Sequence, residues 1–456
     1  MGAGILKQTK VRTLALYAVV WLAVAWVLLL LADAFGAWQL SLVAVLLAAW
    51  GVGRDVSREG YFHPVMVFSF FSLLIVLVDL SWMVAYMGDV VPFFSYEMPV
   101  DPEATLVLAR EQVILFSAVY AGYLAVRGVS GRETEHTDPR RGSVLDPLWP
   151  FVYLIGVGAL FALILSNGGF SELLANLNAK SDRAAGQGEF VLIQYFAYAG
   201  VLMWFGKNLY RPALQRYGGL VGLCLPMLLS GSRIGLLICL AAALYMDERS
   251  GRRVDLRLLV LSGLVLALFF ASYQAFRGGK DLDVLFAINK DLSMGTGFVV
   301  AVQEDLLGDG TRPEVLLQTV TPFIPSGIEQ LFYSAPNPND VLTQHLFPGT
   351  KTTVSIGVMG EANYVLPYGW SFLYYLAVGA LLAWAGSYGW RWSPLLAAVV
   401  AGGAVRVAKS GLTTGGAHIL MIAVPIVLAY AAVLALSVLS RRRNAPKGLE
   451  PERTGG

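Results

Sequence analysis

Residues 217–246 read YGGLVGLCLPMLLSGSRIGLLICLAAALYM, an apolar run with Gly231-Ser232-Arg233 set in its middle. About 14 apolar-rich residues precede the break and about 13 follow it. At about 1.5 Å of rise per residue each helical arm reaches only about 20 Å, against a hydrocarbon core about 30 Å thick. Two such arms make a hairpin whose tip stops short of the far membrane surface. A cation held there is costly, so Arg233 marks a site for an anionic, membrane-borne ligand. Ser232 suits the N-cap of the second arm, which sets unpaired N–H groups and the positive end of the helix dipole beside the guanidinium. Arginine forms forked hydrogen bonds to phosphate. Pro226 kinks the first arm and widens the cup. The plainer alternative is a structural hairpin whose arginine snorkels to lipid headgroups.

The rest of the chain agrees with a membrane setting. It has 456 residues, 56% hydrophobic and 14% charged, with a mean hydropathy of +0.62. A soluble chain of this size could not hide so much apolar surface, which implies a polytopic, all-α integral membrane protein. The net charge of +2 implies no nucleic-acid partner. Cys224 and Cys239 lie inside the hairpin arms and read as core residues, with no disulfide framework or zinc spacing.

Twelve membrane segments are expected, near residues 14–32, 38–53, 62–87, 107–126, 149–166, 190–208, 217–230, 233–246, 257–275, 367–387, 393–408 and 417–439. The first resembles a signal peptide but has too long an apolar core, and it reads as a retained helix. With both termini inside, 22 of the 33 Lys and Arg residues fall on the cytoplasmic side, a strong positive-inside signal. A single crossing by 217–246 would flip every later segment and put Arg441-Arg442-Arg443 outside, so the hairpin reading is better. The expected layout is segments one to four in 1–146, segments five to nine with the hairpin in 147–275, and a large outer loop over 276–367. The last three segments occupy 368–443, and a polar tail covers 444–456. Short helices folded over the outer mouth are expected in the long loop.

Further positive charge gathers at the outer level. Arg110 opens segment four, Arg277 and Lys280 follow segment nine, Arg406 and Lys409 close segment eleven, and Arg183 lies in the outer loop at 167–189. Each alone reads as a surface charge. Together with Ser232 and Arg233 they form a cationic cleft suited to a pyrophosphate. Asp79, in the outer half of segment three, is either an arginine's partner or part of a site. Glu361 and His345 are the candidates for a general base, and His418 opens segment twelve. There is no Walker A loop, no Gly-x-Ser-x-Gly elbow and no His-Glu-x-x-His. The loop at 33–39 has one acid rather than the pair that chelates a metal in some membrane glycosyltransferases. No metal or cofactor is expected, which leaves arginines to neutralise a leaving pyrophosphate.

At this point the chain resembles the bacterial O-antigen and oligosaccharide-repeat-unit polymerases, the Wzy-like family. The resemblance rests on LLSGSRIGLL at 228–237, on the large outer loop, and on SIGVMGE at 355–361 leading through Tyr368-Gly369 into a helix. The tract from Phe323-Ile324-Pro325 to Pro336-Asn337 is similar to the enterobacterial-common-antigen type of polymerase. The resemblance implies a metal-independent glycosyltransferase of the GT-C superfamily in the bacterial inner membrane. It implies an active site facing the periplasm and, as substrate and partner, an undecaprenyl-pyrophosphate-linked oligosaccharide. A chain-length regulator protein is a further partner that the resemblance implies. Arg233 carries over as the hairpin arginine, and Arg277 and Arg183 with it; no residue carries over as a general base. The alternatives are an O-antigen ligase-like enzyme and a flippase for lipid-linked oligosaccharide.

Overall fold

The computed structural model describes residues 36–86, 89–93, 96–130, 147–166, 188–229, 233–252, 294–308, 310–323, 336–348, 355–367 and 369–443. Apolar runs dictate its helices. They are α1 (Ala37–Glu59), α2 (Pro64–Ala85), α3 (Pro102–Ser130), α4 (Trp149–Ser166), α5 (Gly188–Lys207), α6 (Ala213–Leu229) and α7 (Arg233–Arg249). Four short pieces follow: α8 (Met294–Gln303), a 3-10 helix (Pro313–Phe323), α9 (Pro338–Leu346) and α10 (Gly357–Val365). The chain closes with α11 (Ser371–Trp392) and α12 (Pro394–Arg443). One antiparallel hairpin, β1 (Val90–Phe93) and β2 (Tyr96–Pro99), was not expected; Val90 pairs with Pro99.

The protein is all-α in architecture and membrane-embedded. Among the described residues four helical stretches are long and apolar enough to cross a membrane: Pro64–Ala85, Pro102–Arg127, Ser371–Gly389 and Pro394–Val438, the last of them broken at Gly411. That is fewer than the twelve crossings expected, because several helices at the expected positions are too short or too mixed in composition to qualify by themselves. Expected segments 14–32 and 257–275 lie outside the described residues.

Two corrections concern the last segments. The helix expected from residue 367 starts at Ser371. The gap expected between 408 and 417 is a single residue, Gly411, whose φ of 77° and ψ of −178° only glycine adopts readily. α12 folds back on itself there. A Cβ at Gly403 would strike Ile419, and one at Gly415 would strike the Val407 backbone. Residues 16 apart in a straight helix would be about 24 Å apart, so residues 394–410 and 412–443 are antiparallel arms.

The 217–246 hairpin forms as expected. Asp247, near the end of α7, pairs with Arg216 near the start of α6 and accepts a hydrogen bond from Tyr217 Oη at 2.7 Å. Cys224 and Cys239 meet midway as free thiols. This end of the bundle, its foot, also holds the α1–α2 turn, where Tyr61 and Phe62 N–H groups donate to Glu248 at 2.6 and 2.9 Å. Arg249 at the foot donates to the Gly386 carbonyl.

Glycines let the helices approach closely, as in other membrane bundles. Gly156 lies against the Ala197 backbone and Gly200 against Tyr153, fixing α4 on α5. Gly122 and Gly379 do the same for α3 and α11. The opposite end of the bundle is a crown of short helices. Three buried carboxylates hold it. Asp79 in α2 accepts from Trp82 and Gln112 and from the Gly295 N–H at the start of α8. Glu111 in α3 accepts from Ser371 Oγ at 3.0 Å, where α11 begins, and from Tyr375 Oη at 2.7 Å. Glu361 in α10 binds the turn of α12. Each acid therefore ties its own helix to the start of another segment, Asp79 and Glu361 through the backbone N–H groups of Gly295 and Thr413, and Glu111 through the Ser371 and Tyr375 hydroxyls.

Candidate functional site

The register of α7 on α12 decides what meets at the crown. α7 descends from its start at residue 233 to the foot, whereas residues 394–410 ascend. Gly402 lies against the Ile238 carbonyl. Counting crownward from that contact, at about 1.5 Å per residue, residue 233 stands about 7 Å above it and residue 406 about 6 Å. The start of α7 and Arg406 are therefore level on two packed helices.

α5 closes the other side. Tyr198 lies on Gly235, where a Cβ would collide with the phenol. One turn higher, Tyr195 meets His418 of the second α12 arm edge-on, with ring centroids 5.4 Å apart and planes at 84°. Arg406 lies within electrostatic reach of both rings. Its Nε is sealed from solvent with no hydrogen-bond partner among the described residues, and no carboxylate among them pairs with it. His418 Nδ1 donates to the Thr414 carbonyl at 2.7 Å, which fixes the proton on that nitrogen.

The other sequence candidates are dispersed. Lys409 is half-buried one turn above Arg406, and its carbonyl accepts from Ser355 Oγ at 3.0 Å. Arg110 is half-buried in α3, beside Glu111. His345 is exposed on α9, paired with Glu304 at 3.2 Å. Glu361 is fully buried. It accepts from Tyr374 Oη at 2.5 Å, from Thr413 N at 3.0 Å and from Thr413 Oγ1. Leu412 N–H donates to Tyr374 Oη at 2.9 Å. Burial pushes the Glu361 carboxyl up, and these donors oppose the shift. With its oxygens so occupied, Glu361 positions the α12 turn and presents no open face to a substrate. Ser232, Arg277, Lys280 and Arg183 lie outside the described residues, as does the side chain of Arg233. Among the described residues no group of three His, Cys, Asp or Glu could hold a metal ion.

The sequence reading missed Tyr195 and the approach of His418 to Arg406. A signal for the approach exists in the Gly402-Gly403 and Gly415-Gly416 doublets that flank Gly411, since paired small residues mark closely packed arms. Chemically, a guanidinium without a carboxylate, level with a helix start, offers an anion both charge and directed donors. Comparison of the chain with family models, curated proteins and solved structures gives no match.

Proposed function

We propose that this protein is a polysaccharide polymerase of the Wzy-like kind, a metal-independent glycosyltransferase. It joins oligosaccharide repeat units carried on undecaprenyl pyrophosphate. The observation that carries the reading is the level placement of Arg406 and the start of α7, with no carboxylate on Arg406 among the described residues. A diphosphate held by Arg406 and the first N–H groups of α7 loses its negative charge penalty as a leaving group. The isoprenoid tail runs down among the apolar helices, and the crown covers the sugars.

In the full reading the chain crosses the bacterial inner membrane up to twelve times, in a GT-C-like arrangement. Both termini and the foot are cytoplasmic and the crown is periplasmic. The arginines near the foot, among them Arg54, Arg127, Arg211, Arg216, Arg249 and Arg252, fit that orientation by the positive-inside rule. Arg277, Lys280 and Arg183 then complete the cationic cleft, and a chain-length regulator is the natural partner.

The test is reconstitution of the full chain in liposomes with an undecaprenyl-pyrophosphate-linked repeat unit. Wild type is expected to give a ladder of polymer. Arg406→Ala and Arg233→Ala are expected to leave single repeat units on lipid. A full ladder from either variant would remove the pyrophosphate site, and transport of the repeat unit without polymer would favour a flippase.

A further inference from the structure

The reaction needs a group to take the proton from the acceptor sugar, and the sequence leaves that role open. The geometry points to His418 as the general base, with Tyr195 as the residue that orients it. This assignment rests on the polymerase reading.

Three observations support it. First, the Nδ1 hydrogen bond to the Thr414 carbonyl at 2.7 Å fixes the tautomer. The neutral ring then keeps its lone pair on Nε2, and the backbone serves as the orienting acceptor that general-base histidines use. Second, the Tyr195 ring, buried to 8% exposure, stands edge-on to the imidazole and limits its rotation. Third, Arg406 is on the facing arm of the same hairpin. Gly403 against Ile419 and Gly415 against Val407 set residue 418 level with residue 404, about 3 Å along the helix from residue 406. A base and the cation that receives the leaving group are thus held by one rigid hairpin. The other two candidate bases are less suited, since Glu361 is enclosed by donors and His345 is exposed beside Glu304.

The step balances as follows. The acceptor hydroxyl oxygen forms a bond to the anomeric carbon of the donor glycan. The bond from that carbon to the pyrophosphate oxygen breaks, and undecaprenyl pyrophosphate departs with the electron pair. The hydroxyl proton passes to His418 Nε2 and then to water.

His418→Asn tests this, because the asparagine amide can still donate to the Thr414 carbonyl while Nε2 is lost. In proteoliposomes of the full chain, His418→Asn is expected to cut the polymerisation rate by about 100-fold or more. Binding of undecaprenyl pyrophosphate should stay near wild type. Added imidazole should restore part of the rate in His418→Ala, a response that a structural histidine would not give. A His418→Asn rate within about threefold of wild type would overturn the assignment and leave the polymerase reading standing. Loss of rate together with loss of pyrophosphate binding, without imidazole rescue, would assign His418 to structure. If wild type itself makes no polymer, the polymerase reading fails, and this inference with it.

Discussion

The two hairpins, α6–α7 and α12, point their tips to the same end of the molecule but are secured at opposite ends. The first is tied at the foot, where Asp247 pairs with Arg216 and accepts from Tyr217. The second is tied at the tip, where Glu361 and Tyr374 grip Leu412 and Thr413 just past Gly411. An ion pair at the foot fixes which residues of the two arms face each other. A carboxylate at the tip fixes the turn itself and so fixes the height of Arg406. The start of α7 is thus placed from the foot, whereas Arg406 is placed from the turn just above it.

Breaking the foot tie is expected to have the largest effect on stability. Asp247→Ala leaves Arg216, 3% exposed, without its partner, at a cost of about 3–5 kcal/mol. Unfolding of the detergent-solubilised protein in denaturant measures this; a loss below about 1 kcal/mol would mean that the foot is not the tie. Next is the tip. Gly411→Ala forces a side chain onto φ 77° and into the Glu361 carboxylate. About 1–3 kcal/mol is expected from backbone strain alone, with loss of polymer as Arg406 shifts. An intact ladder with unchanged stability would show that the turn tolerates movement.

A smaller effect is expected from Glu361→Gln, about 1–2 kcal/mol near neutral pH from one weakened acceptor. Its pH dependence has a definite sign. Because burial raises the folded-state value, the unfolded chain releases its proton first, so this group's contribution to stability falls as pH rises from the ordinary glutamate range up to the raised value. Glu361→Gln removes that slope. Stability scans of wild type and variant across acidic to neutral pH should therefore diverge, and parallel curves would count against the burial argument. Smallest is His345→Ala, on an exposed pair with Glu304. Less than about 1 kcal/mol is expected, and polymerisation should stay near wild type; a large loss of rate would move the search for the base to α9.

Much of the first hairpin is legible in the sequence, because Gly231-Ser232-Arg233 interrupts an apolar run whose arms are too short to span alone. The second hairpin is harder to read. Its vertex is one glycine among several between residues 402 and 416, and only three-dimensional contact distinguishes Gly411 from the glycines that pack helices. Lys409, Thr413 and Thr414 add polar character around it, which suggests a longer loop than the single-residue turn present. The strand pair at 90–99 was missed because Pro92 and Pro99 argue against strands, yet an isolated two-stranded ribbon has edges that tolerate proline. The site was legible as a list of cations but not as a place. Charge and spacing pick out Arg406, but its level match with residue 233 comes from Gly402 on Ile238, a pairing 164 positions apart. The role of Glu361 was equally hidden, since a buried acid that holds a turn and one that takes a proton look alike in sequence.

The bond between Asp79 and the start of α8 bears on how the protein is made. Ribosomes deliver α2 to the bilayer long before Gly295 exists, so its carboxylate has only Trp82 on the nascent helix for company until α3 brings Gln112. Insertion of the early helices and closure of the crown are therefore separate events, with the crown added once the later part of the chain arrives to quench that acid.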